Sequence, residues 1–109
     1  DNHIKASNNL RDLVKKAIKT KKIITVEIEN INQLKQVLGL KFKRILFDNM
    51  NSSQLKKCLK LCKNKYQTEY SGNASPKNIK RISRTGIDRI SVGAITHSAK
   101  SFDSSLLIL

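Results

Sequence analysis

TEYSGNASPKN, residues 68–78, reads as the end of a strand, a bare turn at Ser71-Gly72-Asn73, and a helix start at Ser75-Pro76. A serine before a helix accepts a hydrogen bond from a free backbone N–H. Proline at the first helical position gives up only an N–H that would be unpaired there anyway. Strand, glycine turn and helix start in that order leave backbone N–H groups pointing outward with partial positive charge, where a phosphate can sit. Similar residues also serve simple chain reversal. What surrounds the turn therefore decides its meaning.

The surroundings repeat. Ser7 is placed to cap a helix whose apolar positions are Leu10, Leu13, Val14, Ala17 and Ile18. A strand is predicted over Ile23 to Ile28, and Asn30 then caps a second helix with Ile31, Leu34, Val37 and Leu38 on one face. Strand Arg44 to Phe47, helix Ser52 to Lys63, strand Tyr66 to Tyr70 and helix Pro76 to Arg84 follow, the last closed by Thr85-Gly86. A strand over Asp88 to Val92 leads into a short helical turn around Thr96 to Ala99 and an apolar tail.

Regular βα alternation predicts a parallel sheet with right-handed crossovers, its strands apolar on both faces under covering helices. Glu27, Asp48, Ser71 and Gly93 mark the carboxyl ends of successive strands at separations of 21, 23 and 22 residues. So short and even a unit fits a (β/α) barrel better than a flavodoxin-like open sheet, which remains the alternative. In a barrel the chemistry gathers at those strand ends. Two adjacent glycine turns, Ser71-Gly72-Asn73 and Gly93-Ala94, each read as feeding a helix start, would together surround one phosphate.

The acids sharpen the reading. The chain has eight Asp or Glu against 22 Lys or Arg, yet Glu27, Asp48 and Glu69 all fall in strands or at their ends. Carboxylates there serve to hold a cation, a hydroxyl-rich ligand or a nearby lysine. The net charge of +14 comes with Lys over Arg and with abundant Asn and Ile, spread over every segment and without an aromatic stacking stripe. It is read as compositional drift, and no nucleic-acid partner is expected. A small basic nucleic-acid-binding protein stays as the rival. Cys58 and Cys62 share the apolar face of a helix with Leu55 and Leu59, so core packing and a reducing cytoplasm are expected. No apolar run reaches the ~18 residues that a membrane span needs. At 109 residues the chain is taken as one domain, and its start at Asp1 as the mark of a processed or partial product.

DNHI (1–4), VEIEN (26–30), FDNM (47–50), EYSGN (69–73), TGIDRISVGAITHS (85–98) and FDSSL (102–106) stand in a characteristic order and spacing. Over essentially the whole chain this pattern resembles the C-terminal part of quinolinate phosphoribosyltransferase, the decarboxylating enzyme of NAD synthesis. The resemblance implies part of an open, incomplete α/β barrel. It also implies transfer of a phosphoribosyl group from phosphoribosyl diphosphate to quinolinate, with loss of diphosphate and CO2.

By the same resemblance Glu27 and Asp48 would serve the ribose and the Mg²⁺-diphosphate, the Mg²⁺ held indirectly. Ser71, Gly72 and Asn73, with Val92, Gly93 and Ala94, would hold substrate, chiefly the 5-phosphate. A homodimer or larger assembly is implied, in which an N-terminal sandwich domain covers the partner's barrel. Asn2, His3 and His97 match family positions, with orienting or structural roles. The family's lysine before Asp-Asn-His and its quinolinate-clamping residues have no counterpart in these 109 residues, and its Gly-Ala-Asp reads Phe42-Lys43-Arg44. The chain alone is therefore expected to be inactive, with Ile45, Ile90 and Val92 uncovered. A related phosphate-binding barrel enzyme is the nearer alternative.

Overall fold

Six strands form one sheet in sequence order, β1-β2-β3-β4-β5-β6, in the computed structural model, which describes residues 2–5, 9–72, 75–92 and 95–102. The strands are β1 (Asn2–Lys5), β2 (Ile24–Ile28), β3 (Arg44–Asp48), β4 (Gln67–Ser71), β5 (Arg89–Val92) and β6 (Ile95–Ser98). Helices α1 (Leu10–Ile18), α2 (Ile31–Val37), α3 (Ser52–Cys62) and α4 (Pro76–Ser83) join the first five strands, which are all parallel. Sequence order with one crossover helix per step is how a barrel wall is laid down.

Local signals set the helix ends. The Asn30 and Asn51 side chains accept from the N–H of Gln33 and Gln54 at 2.9 and 2.8 Å, and Ser75 accepts from Asn78 N at 3.2 Å with Pro76 following it. Each bond satisfies one of the orphan donors of a first turn. Past α4, Gly86 takes φ +98°, a left-handed turn that a side chain would disfavour. Asn9 stands at the N-terminal boundary of α1, and Ser7 lies outside the described residues. Among the described residues no helix is long and apolar enough to cross a membrane.

The core lies between the sheet and its helices. Val26, Ile28, Ile45, Phe47, Tyr70 and Ile90 point from the strands into a layer closed by Leu10, Val14, Leu34, Leu55, Ile79 and Ile82. Cys58 and Cys62 are free thiols inside it, as their spacing predicts. Burial raises both thiol pKa values, that of Cys62 to about 12 with a further push from Cys58.

Four expectations change. The strands are not apolar on both faces: the uncovered face carries the row Lys5, Glu27, Leu46, Glu69, Arg89 and Ser98. Ile45 and Ile90 are therefore not left uncovered, because the chain's own helices bury both, and Val92 is half-buried. The segment after β5 is no helical turn at Thr96. It is an antiparallel strand, followed by a 3₁₀ turn at Ala99–Phe102. Alternation of Thr96 and Ser98 with His97 suits a strand, and His97 packs edge-on against Phe102 at 5.5 Å between ring centres. Finally, Leu13 of α1 and Ile23 before β2 are exposed rather than buried.

Candidate active site

Parallel strands carry side chains at matched heights, so residues distant in sequence meet at one sheet end. The pairing sets Asp48 beside Ser71, Ser71 beside Ser91, and Ser91 beside Thr96. All four lie on the uncovered face, near the carboxyl ends of β3, β4 and β5. Ser91 and Thr96 share a hydrogen bond between hydroxyls at 3.2 Å. Glu27 sits across from Leu46, so Asp48 is two residues further along the neighbouring strand on the same face. Strand spacing and rise put their Cα atoms about 8 Å apart. Both residues are half-buried, and Cα atoms so spaced on one face would let the two side chains serve one hydrated cation through its waters. Among the described residues there is no cluster of three His, Cys, Asp or Glu that would ligate a metal directly.

The loops after β3 and β4 are tied together. Asn49 N donates to the Ser71 carbonyl at 2.7 Å, with Asn49 at φ +55°. Asparagine tolerates that left-handed backbone better than most residues. Gly72 lies against this junction. A Cβ there would stand 2.5 Å from the Tyr70 hydroxyl oxygen and 3.2 Å from Asn49 Cα. Glycine is needed because two neighbours occupy the space of a side chain. No positive φ is involved.

Glu27, Asp48 and Ser71 are thus gathered at one end and one face of the sheet, with Gly72 in the turn just beyond. Val92 stands at the same end but follows Ile90 onto the covered face and packs against the core. Asn73, Gly93 and Ala94 lie outside the described residues. Among the described residues no helix starts directly after β5: residues 95–98 form β6, so of the two expected helix starts the one present is that of α4. Sequence reasoning missed Glu29 and Asn49, which line a cavity of about 260 Å³ together with Asp48. Both stand inside the motifs VEIEN and FDNM, and that was the available signal. A larger hollow of about 710 Å³ is lined by Gln67, Asp88, Arg89, Thr96, His97 and Ser98. It centres on the amino ends of β4 and β5, away from Asp48 and Ser71. Asp88 there is engaged by Thr68, whose N–H and hydroxyl reach its carboxylate at 3.0 and 3.1 Å.

A family model described as the quinolinate phosphoribosyl transferase C-terminal domain matches residues 1–107. The chain belongs to that family. Among curated relatives of the quinolinate phosphoribosyl transferase family, a nicotinate-nucleotide pyrophosphorylase (carboxylating) of Arabidopsis thaliana, designated chloroplastic, is 32% identical over 99% of this chain and 37% of its own length. A probable enzyme of the same name from Bacillus subtilis is 34% identical over 97% of this chain and 38% of its own length. The solved nicotinate-nucleotide pyrophosphorylase of Francisella tularensis superposes with a TM-score of 0.75 at 31% identity, covering 89% of this chain and 38% of that one. The chain therefore spans a little over a third of these relatives, and its sheet corresponds to part of an α/β barrel.

Proposed function

We propose that this chain is the phosphate- and ribose-holding part of a quinolinate phosphoribosyltransferase. That enzyme forms nicotinate mononucleotide, diphosphate and CO2 from quinolinate and phosphoribosyl diphosphate. The observation that carries the reading is the meeting of Asp48, Asn49, Ser71 and Gly72 at one sheet end, with Glu27 on the same face, in a chain of this family. Loss of diphosphate leaves positive charge at the ribosyl carbon. Fixed carboxylates near that carbon stabilise such charge more cheaply than water, which must reorganise. Glu27 and Asp48 are the candidates for this work, and no nucleophilic side chain is required.

Glu27 and Asp48 would hold a Mg²⁺ indirectly, and that ion would supply charge neutralisation for the diphosphate leaving group. The Ser71–Gly72–Asn73 turn before α4 would take the 5-phosphate, helped by Val92, Gly93 and Ala94. Quinolinate recognition, and assembly as a homodimer or larger, would rest on parts of the enzyme beyond these residues. Two buried free thiols support a reducing compartment, and we place the protein in the cytoplasm; the name of the plant relative above specifies a chloroplast.

We read the charge as compositional: exposed Lys and Arg side chains are spread over all four helices, with Asp12 the one acid among them. Steady-state assay of the intact enzyme with Mg²⁺ tests the proposal. Glu27→Ala and Asp48→Ala should each lower turnover about 10²–10³-fold while the fold persists. Near-normal turnover in either variant would remove that residue from the mechanism.

A further inference from the structure

We propose that Tyr70 is a positioning residue for the turn that holds the 5-phosphate, acting through Gly72 and through Asn78 of α4. The inference rests on the functional reading above and adds to it a residue from the opposite face of the sheet. Tyr70 alternates with Ser71, so its ring enters the core and is 2% exposed. A core site of that kind asks only for bulk, which phenylalanine supplies without a hydroxyl. A buried hydroxyl costs free energy unless it is paired.

The Tyr70 hydroxyl finds its partner at the loop. Asn78 Nδ2 donates to it at 3.3 Å, while Asn78 N donates to the capping Ser75 hydroxyl at 3.2 Å. On its other side the same oxygen lies where a Gly72 side chain would be. One atom thus links the end of β4, the glycine of the turn and the first turn of α4. Asn49, bonded to the Ser71 carbonyl, holds the opposite flank. Ligand-binding backbone N–H groups are effective when their spacing is fixed before the ligand arrives. The Tyr70 hydroxyl fixes the height of Gly72 and its distance from the helix N-terminus. It does so without touching substrate.

The test uses the intact enzyme and Tyr70→Phe, which keeps the ring and removes the oxygen. The KM for phosphoribosyl diphosphate should rise about fivefold, as expected for one net hydrogen bond, with kcat within about twofold. The KM for quinolinate should not move. Inorganic phosphate, titrated by calorimetry, should bind the variant about fivefold more weakly. Asn78→Ala should raise the same KM, and Tyr70→Phe/Asn78→Ala should be no worse than Asn78→Ala alone, because both remove one link.

Unchanged phosphate affinity in Tyr70→Phe, or equal rises in both KM values, would overturn the inference. Should Tyr70→Phe fail to fold, Asn78→Ala decides: a selective loss of phosphate affinity supports the link, and none refutes it. A wild-type enzyme that does not turn over quinolinate with phosphoribosyl diphosphate sinks the functional reading. The phosphate titration still decides the role of Tyr70 in that case.

Discussion

Ile45 and Leu46 are neighbours on β3 with opposite surroundings. Ile45 is wholly buried beneath the helices, within the continuous apolar layer. Leu46 is half-buried on the other face, between Glu27 and Glu69 and in a row with Lys5 and Arg89. The covered face thus holds the fold together, whereas the open face carries Glu27, Asp48 and Ser71, the residues proposed for the chemistry, and is wettable as it stands. An edge of unpaired strand still invites pairing, but the exposed apolar area expected on this face is not there. This is why the fold and the site can be perturbed separately.

The largest separation should come from Phe47→Ala. It empties a fully buried site on the covered face and should cost about 3–5 kcal/mol, read as a lower denaturant midpoint. If the loss were below about 1 kcal/mol, the covered face would not be the core described.

High pH should act on the covered face too. Cys58 and Cys62 have thiol pKa values raised by burial, the latter to about 12, against an ordinary value of 9.0. Between pH 9 and 12 the unfolded chain releases thiol protons that the folded chain retains. The unfolded state then binds fewer protons, so stability falls as pH rises through this window. Denaturation midpoints compared at pH 8 and 10.5 should show a smaller drop in Cys58→Ala/Cys62→Ala than in the wild type. Equal drops would mean that the thiols do not carry the effect.

Gly72→Ala probes the seam between the two faces. Its Cβ must displace the Tyr70 hydroxyl or the Asn49 backbone, at a cost of about 1–3 kcal/mol, and it should weaken phosphate binding as well. Phosphate titration alongside unfolding would show whether the two losses occur together. At the small end, Leu46→Thr should change stability by no more than about 0.5 kcal/mol, since the open face already accepts polar groups. A loss as large as that of Ile45→Thr would erase the contrast between the faces.

Much of this was legible in the chain. Helical periodicity around Leu10, Leu34, Leu55 and Ile79, caps at Asn30 and Ser75, and the stop at Gly86 are local signals, and the helices follow them. Glu27, Asp48 and Ser71 could be assigned to one end of the sheet because even βα spacing brings successive strand ends to one height. The motifs FDNM and EYSGN pointed to the two turns that the bond from Asn49 N to the Ser71 carbonyl ties together.

Only tertiary structure decided the rest. Whether β2 to β5 carry one apolar face or two depends on which side receives helices, and a run such as ITVEI reads almost the same either way. The direction of β6 was hidden for a related reason: a four-residue strand has too few alternations to outweigh a helical reading, and its pairing with β5 settles the matter. Leu13 carries the helical periodicity and still stays exposed, because periodicity records which face is apolar and not whether another element covers it. The need for glycine at position 72 arises between residues, from the Tyr70 hydroxyl below and Asn49 alongside. Sequence determines local geometry through bonds within a few residues. Packing across strands determines which of those residues meet, and the site is made of such meetings.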